Sequence, residues 1–216
     1  RMQEVWFWQC IVSPHMAGLA VALARLDCKV TYVAERAMSD DRAKQGWTLP
    51  DLPRVALFYA PTREAVQDLV RQAPVDAQHI CQGIRSNGLI AFAQRLLAAR
   101  GIRQWVVMET VNEAVWYAPL KFVEYARIFR ARAASLQGVF ATGYRTVAWV
   151  TAAGMPADRV FPFAYFLSDG SQPLARGLRD SKAYRFIYVG RLVSLKRVDW
   201  LMNALAGLTE HAFELW

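Results

Sequence analysis

The sequence predicts an α/β protein, an open, mostly parallel sheet wound on both faces by helices, followed by the opening elements of a second such domain. Three observations predict it. Short β-rich apolar runs alternate with stretches of helical spacing from Val5 to Phe166. A polar stretch containing Gly, Pro and Ser interrupts the alternation at Leu167 to Lys182, and a new β-rich run begins at Tyr184. Parallel neighbours need a crossover to return the chain, usually a helix, so regular strand–helix alternation implies a parallel sheet.

Val5 to Val12 is an apolar run rich in β-formers that stops at Ser13-Pro14, and Met16 to Leu26 reads as a helix. Lys29 to Ala34 is a second strand, which completes one right-handed parallel unit. The pattern repeats as strand Val55 to Tyr59, helix Thr62 to Gln72, strand Asp76 to Cys81 and helix Ser86 to Arg100. Strand Arg103 to Met108 precedes a helix over Pro119 to Ala134, with proline in its first turn. Strand Gly138 to Ala141, helix Tyr144 to Ala153 and strand Arg159 to Phe166 finish the first domain. The expected division is a first domain over 1–166, a linker over 167–183 and the start of a second domain over 184–216. That second part reads as strand Tyr184 to Val189, loop Gly190 to Leu195, helix Lys196 to Leu208 and a strand beginning at Phe213.

Composition narrows the function. Of the 216 residues, 55% are hydrophobic and 20% charged, which excludes a disordered chain. The net charge of +8 favours anionic partners, namely phosphorylated small molecules or an acidic membrane surface, or else reflects a generally basic surface. No nucleic acid is expected, because no recognition-helix or aromatic-basic strand motif is present. Cys10, Cys28 and Cys81 are odd in number and lack metal spacing, which suits a reducing, cytoplasmic setting and predicts no metal. Val5 to Ala24 carries no Asp, Glu, Lys or Arg, yet Ser13-Pro14-His15 in its middle favours strand, loop and helix over a membrane span or signal segment.

In open parallel sheets ligands bind beyond the carboxyl ends of the strands, where strand order reverses. That rule selects the loops at Ser13 to Gly18, Gln82 to Ser86, Glu109 to Tyr117, Thr142-Gly143 and Gly190 to Lys196. Within them His15 would bond a ligand's hydroxyl or phosphate, or else stabilise its own loop. Glu109 would orient a ligand hydroxyl, or else serve as an acid near a helix N-terminus. Ser13, Gly18 and Arg85 are cleft-loop candidates, whereas His79 reads as core. Gly190 permits a sharp turn, and Arg191 and Lys196 stand where two cations and a helix N-terminus can hold a diphosphate.

The stretch from Phe186 to Leu208 resembles the first strand, loop and helix of the C-terminal domain of glycosyltransferase family 4, through Gly190, Arg191, Leu192 and Lys196. Arg197 departs from the family, where glycine is usual. Ser13-Pro14-His15 with Gly18, and Gly154-Met155-Pro156 with Arg159-Val160, resemble its pattern more loosely. The resemblance implies a GT-B enzyme with two Rossmann-like domains. The first would hold a saccharide or lipid-linked acceptor, and the second a nucleotide-diphosphate sugar through Arg191 and Lys196. It further implies sugar transfer with retention and no metal or other cofactor, in bacterial surface polysaccharide synthesis. An epimerase acting on sugar nucleotides and a non-catalytic binding module remain as alternatives.

Two further expectations concern surroundings. The helix over Pro119 to Ala134 places Phe122, Tyr125, Ala126, Phe129 and Ala133 on one stripe, and sets Lys121, Arg127, Arg130 and Arg132 against the single acid Glu124. Its basic arc would rest on anionic lipid headgroups, or is simply solvated. In family 4 the second domain continues to two glutamates separated by seven residues that contact the donor, and no pair at that spacing follows the linker. The expectation is therefore that the reading frame continues past Trp216 and that this chain alone does not transfer sugar.

Overall fold

The computed structural model describes residues 2–44, 46–167, 184–190 and 192–216. The chain divides into two compact units, Arg1–Gly170 and Ser171–Trp216. Residues 168–183 of the expected linker, and Arg191, lie outside the described residues.

The first unit is built on a seven-stranded sheet. In chain order its strands are β1 (Glu4–Ile11), β2 (Lys29–Arg36), β3 (Val55–Tyr59), β4 (Gln78–Gln82), β5 (Gln104–Met108), β6 (Leu136–Thr142) and β7 (Val160–Phe163). They lie side by side in the order β3-β2-β1-β4-β5-β6-β7, and every pairing is parallel. Strand order reverses between β1 and β4, which makes their carboxyl ends the switch point.

β1 is apolar without alternation because both of its faces are covered. Trp6 and Trp8 pack with Val66 and Leu69 of α3 (Arg63–Gln72) and Ile90 and Leu97 of α4 (Leu89–Ala99). Val5 and Phe7 pack on the other side with Met16, Ala17 and Ala20 of α1 (Pro14–Arg25). Phe7 and Trp8 are both fully buried, and a buried Phe side chain contributes ~1.5–3 kcal/mol. α5 (Ala118–Arg132) and α6 (Tyr144–Ala152) cover Val106 and Val139 through Phe129 and Val150. The uncharged run from Val5 is thus β1, a turn and α1. Ser13 Oγ accepts from Met16 N at 3.3 Å and Pro14 opens the helix.

Some expected boundaries move, and one helix is added. β7 ends at Phe163, short of Phe166. It is an edge strand, and it accommodates Pro162, which has no N–H to donate. A short helix, α2 (Asp40–Lys44), had no periodic signal because none of its residues is buried. In the second unit β8 (Tyr184–Phe186) pairs in parallel with β9 (Phe213–Leu215), and α7 (Val198–Ala206) begins after Lys196. Ser194–Lys196 form a 3-10 turn, and Arg197 then adopts φ 49°, ψ 42°. A left-handed residue cannot continue a right-handed helix, so α7 starts at Val198. Arg197 is held there by Asp199, at 3.1 and 2.8 Å, and by the Trp200 ring, 3.7 Å from its guanidinium carbon. Among the described residues no helix is long and apolar enough to cross a membrane.

Candidate functional site

The loop after β1 is pinned by Tyr32, whose hydroxyl donates to Ile11 O at 3.1 Å and accepts from Ser13 N at 3.4 Å. Burial raises the pKa of this phenol, so it remains a donor. The result is a fixed first turn of α1 carrying His15.

The loop after β4 is tied down by amides. Asn87 Nδ2 donates to Gln82 O at 2.8 Å and Gly83 O at 3.2 Å, and Gln94 Nε2 donates to Gly83 O at 2.9 Å. Arg132 Nη1 donates to Gln94 Oε1 at 3.0 Å, and burial lowers the pKa of its guanidinium. Arg132 therefore supports this loop and leaves the expected basic arc of α5; Ala133, expected on the core stripe, is exposed. Cys10 N donates to Gln82 Oε1 at 2.9 Å, which joins the loop to the end of β1. α4 begins at Leu89, later than the expected Ser86, and Leu89 N donates to Glu35 Oε2 at 3.3 Å. Gly88 carries no side chain to cap the helix; a Cβ there would stand 2.7 Å from Glu35 Oε2.

The loop after β5 is locked to β6 and α6. Thr142 Oγ1 donates to Met108 O at 2.9 Å, and Thr110 Oγ1 lies 2.7 Å from Thr146 Oγ1. Glu109, at the start of this loop, accepts a hydrogen bond from the Tyr165 hydroxyl. Burial first, and the bond to Glu109 next, raise the Tyr165 pKa, so the phenol keeps its proton. The Tyr165 ring stacks on His15 with centroids 4.6 Å apart. Segments following β1, β5 and β7 thus meet through His15, Glu109 and Tyr165. Tyr165 was missed from sequence, although it follows the last strand, where the carboxyl-end rule applies.

These residues line a cleft of about 510 Å³, together with Ser13, Arg42, Arg85 and Lys121. Arg85 is engaged by Glu124 at 2.7 Å, a half-exposed pair of small energetic weight. Gly18 lies within α1 and not in a loop, outside the cleft lining. Its lack of a side chain admits the main chain, since a Cβ there would stand 2.6 Å from Phe166 O. Gln9 Nε2, His15 Nδ1 and Asn87 Oδ1 are buried with no hydrogen-bond partner among the described residues, and all three residues line the cleft. A broader, mostly apolar groove shares Glu109, Thr110 and Tyr165 with it and is walled by Phe122, Trp149 and Phe163.

His79 is fully buried core, with Nδ1 accepting from Trp8 Nε1 at 3.2 Å. In the second unit Gly190 and Lys196 are described and Arg191 is not. Among the described residues no group of His, Cys, Asp and Glu could hold a metal ion.

No family model matches the sequence, and no curated protein does. Two solved structures share its architecture. UDP-N-acetylglucosamine 2-epimerase from Rickettsia bellii matches with a TM-score of 0.54 at 12% identity, over 100% of this chain and 62% of its own. Anabaena Alr3699/HepE, solved in complex with UDP and glucose, matches with a TM-score of 0.55 at 15% identity, over 100% of this chain and 61% of its own. The chain therefore spans less than two thirds of the length of either structure. At these identities the likeness shows the fold alone, an α/β architecture of the GT-B, Rossmann-like type.

Proposed function

We propose that the chain belongs to a nucleotide-sugar-dependent glycosyltransferase of the family 4 kind, with the cleft of the first unit as its acceptor site. The observation that carries this reading is the meeting of His15, Glu109 and Tyr165 at the carboxyl edge of the sheet, beside the switch point. One oxygen of Glu109 accepts from Tyr165, which leaves the carboxylate free to receive an acceptor hydroxyl and orient it. The acceptor oxygen then bonds to the anomeric carbon as the bond from that carbon to the diphosphate breaks. In the retaining version the hydroxyl proton leaves with the diphosphate. Arg191 and Lys196 would neutralise that leaving group as cations, without a metal. The apolar groove that shares Glu109 and Tyr165 suits the lipid part of a lipid-linked saccharide. Peripheral contact with an anionic membrane on the cytoplasmic side fits the exposed Trp116, Leu120 and Val123 beside Arg127 and Arg130.

Epimerisation of a sugar nucleotide is the second reading, favoured by the Rickettsia bellii structure. A panel of nucleotide-sugars incubated with saccharide and lipid-linked acceptors separates the two. Sugar on the acceptor supports transfer, whereas free nucleotide with epimerised sugar in the absence of acceptor supports epimerisation.

A further inference from the structure

We propose that Gln9 and Asn87 are specificity-determining residues of the cleft and that, between them, they take the hydroxyls of a neutral saccharide ring. The inference rests on the cleft being the saccharide site and says how it chooses. Gln9 is 2% exposed and Asn87 6%, and both line the cleft. Along β1 side chains alternate between faces, so Gln9 shares the α1 side with Phe7. Asn87 is held by the network that reaches the loop from α4. The two amides thus approach the carboxyl edge of the sheet from its two sides.

Their free atoms differ in kind. Asn87 gives both its good donor contacts to main-chain carbonyls, Gln82 O and Gly83 O, which fixes the amide and leaves Oδ1 as an acceptor wanting a donor. Gln9 leaves Nε2 as a donor wanting an acceptor. A buried polar group left without a partner is costly, so a ligand is selected by how well it completes the pair. Phosphate oxygens satisfy Gln9 but set lone pairs against Asn87 Oδ1. Hydroxyls donate and accept, and satisfy both. His15, whose Nδ1 is also unpartnered among the described residues, adds a third polar contact from the first turn of α1.

The test uses the 15N-labelled chain with glucose, N-acetylglucosamine, glucose 1-phosphate and inorganic phosphate as probes. The side-chain amide resonances of Gln9 and Asn87 both shift with glucose, N-acetylglucosamine and glucose 1-phosphate, whereas inorganic phosphate leaves that of Asn87 in place. Gln9→Met weakens saccharide binding about tenfold, the weight of a hydrogen bond to a buried group. Its Tm holds or rises, because a buried amide without a partner gives way to an apolar chain of similar length. A purely structural Gln9 would lower Tm and leave binding alone. Equal saccharide affinity in wild type and Gln9→Met, or amide shifts with inorganic phosphate alone, overturns the inference and leaves the saccharide reading standing. Absence of binding by every saccharide overturns both. Should Gln9→Met fail to fold, the wild-type amide shifts decide.

Discussion

The phenol ring of Tyr165 lies on the imidazole of His15, 4.6 Å between centroids and 19° from parallel, while its hydroxyl donates to Glu109. One side chain from beyond the last strand therefore fixes both residues that the first and fifth strands deliver to the cleft. A phenol whose pKa is raised stays protonated across the physiological range and can only donate to a carboxylate.

Tyr165→Phe keeps the stack and removes the donor. In the whole enzyme, sugar transfer should fall by about tenfold to a hundredfold, the scale of a mispositioned acid or base, with Tm nearly unchanged since the pair is partly exposed. His15→Ala should likewise lower the transfer rate more than the Tm. Wild-type kcat in Tyr165→Phe would remove Tyr165 from the positioning of Glu109.

His79 supplies a prediction about pH. Its Nδ1 accepts from Trp8 and its Nε2 stands 2.9 Å from Pro74 O, so only the neutral ring protonated at Nε2 satisfies both. Burial, aided by nearby Arg100, lowers its pKa. Between the lowered folded value and the ordinary ~6.5, the unfolded chain binds a proton that the folded chain refuses. Stability is full above the ordinary value and is lost as pH falls toward the folded one. The urea midpoint should therefore drop between pH 7.5 and pH 5, and drop less in His79→Leu, which starts lower because Trp8 loses its partner. Parallel pH curves for the two proteins would contradict this.

The central strands were legible because burial on both faces writes an unbroken apolar run, as in Val5 to Trp8. α2 was not, since nothing in Asp40–Lys44 is buried, and the start of α7 depends on a left-handed Arg197 that sequence marks only by the missing glycine. For the cleft, the rule of carboxyl ends selected the loops after β1, β4 and β5, which line it. Gln9 stands unmarked inside the apolar run from Val5 to Val12, and Asn87 falls in the helix expected from Ser86. What sets them apart is a buried polar atom left without a partner among the described residues after β1, β4 and α4 pack together, and no local pattern encodes that. Tyr165 acquires its role only where the chain returns past α1.

The donor side is tested by Arg191 and Lys196. Changing both to Ala in the whole enzyme should weaken UDP binding by at least tenfold, since a hydrogen bond to a charged group contributes ~1.5–3 kcal/mol. Calorimetry with UDP reads it directly. Unchanged affinity would remove the two cations from diphosphate binding.

Membrane contact is the next. With Arg132 turned onto Gln94, the outward cations of α5 are Arg127 and Arg130, set among exposed Trp116, Leu120 and Val123. At about 1 kcal/mol per cation near an anionic surface, Arg127→Glu with Arg130→Glu should sharply reduce sedimentation with anionic vesicles. Wild-type binding should weaken with added salt, because the attraction is screened. Equal sedimentation with neutral vesicles would speak against an electrostatic contact.

Gly18→Ala sets two effects of opposite sign against each other. Inside a helix, alanine is favoured over glycine by ~0.8–1 kcal/mol. At this position, however, a Cβ would stand 2.6 Å from Phe166 O and 3.1 Å from Leu167 C, both main-chain atoms that cannot turn aside like a side chain. Relieving such an overlap costs ~1–3 kcal/mol, so the clash wins and Tm should fall by several degrees. The displaced segment follows directly on Tyr165, so the shift should also loosen the stack on His15 and the bond to Glu109. Gly18→Ala should therefore lose activity although residue 18 lies outside the cleft lining. Thermal denaturation and transfer rate, measured on the same preparation of the whole enzyme, check both halves. A higher Tm would show that the chain does not pass so close to α1. A lower Tm with full activity would show that Tyr165 holds its place without the support of Gly18.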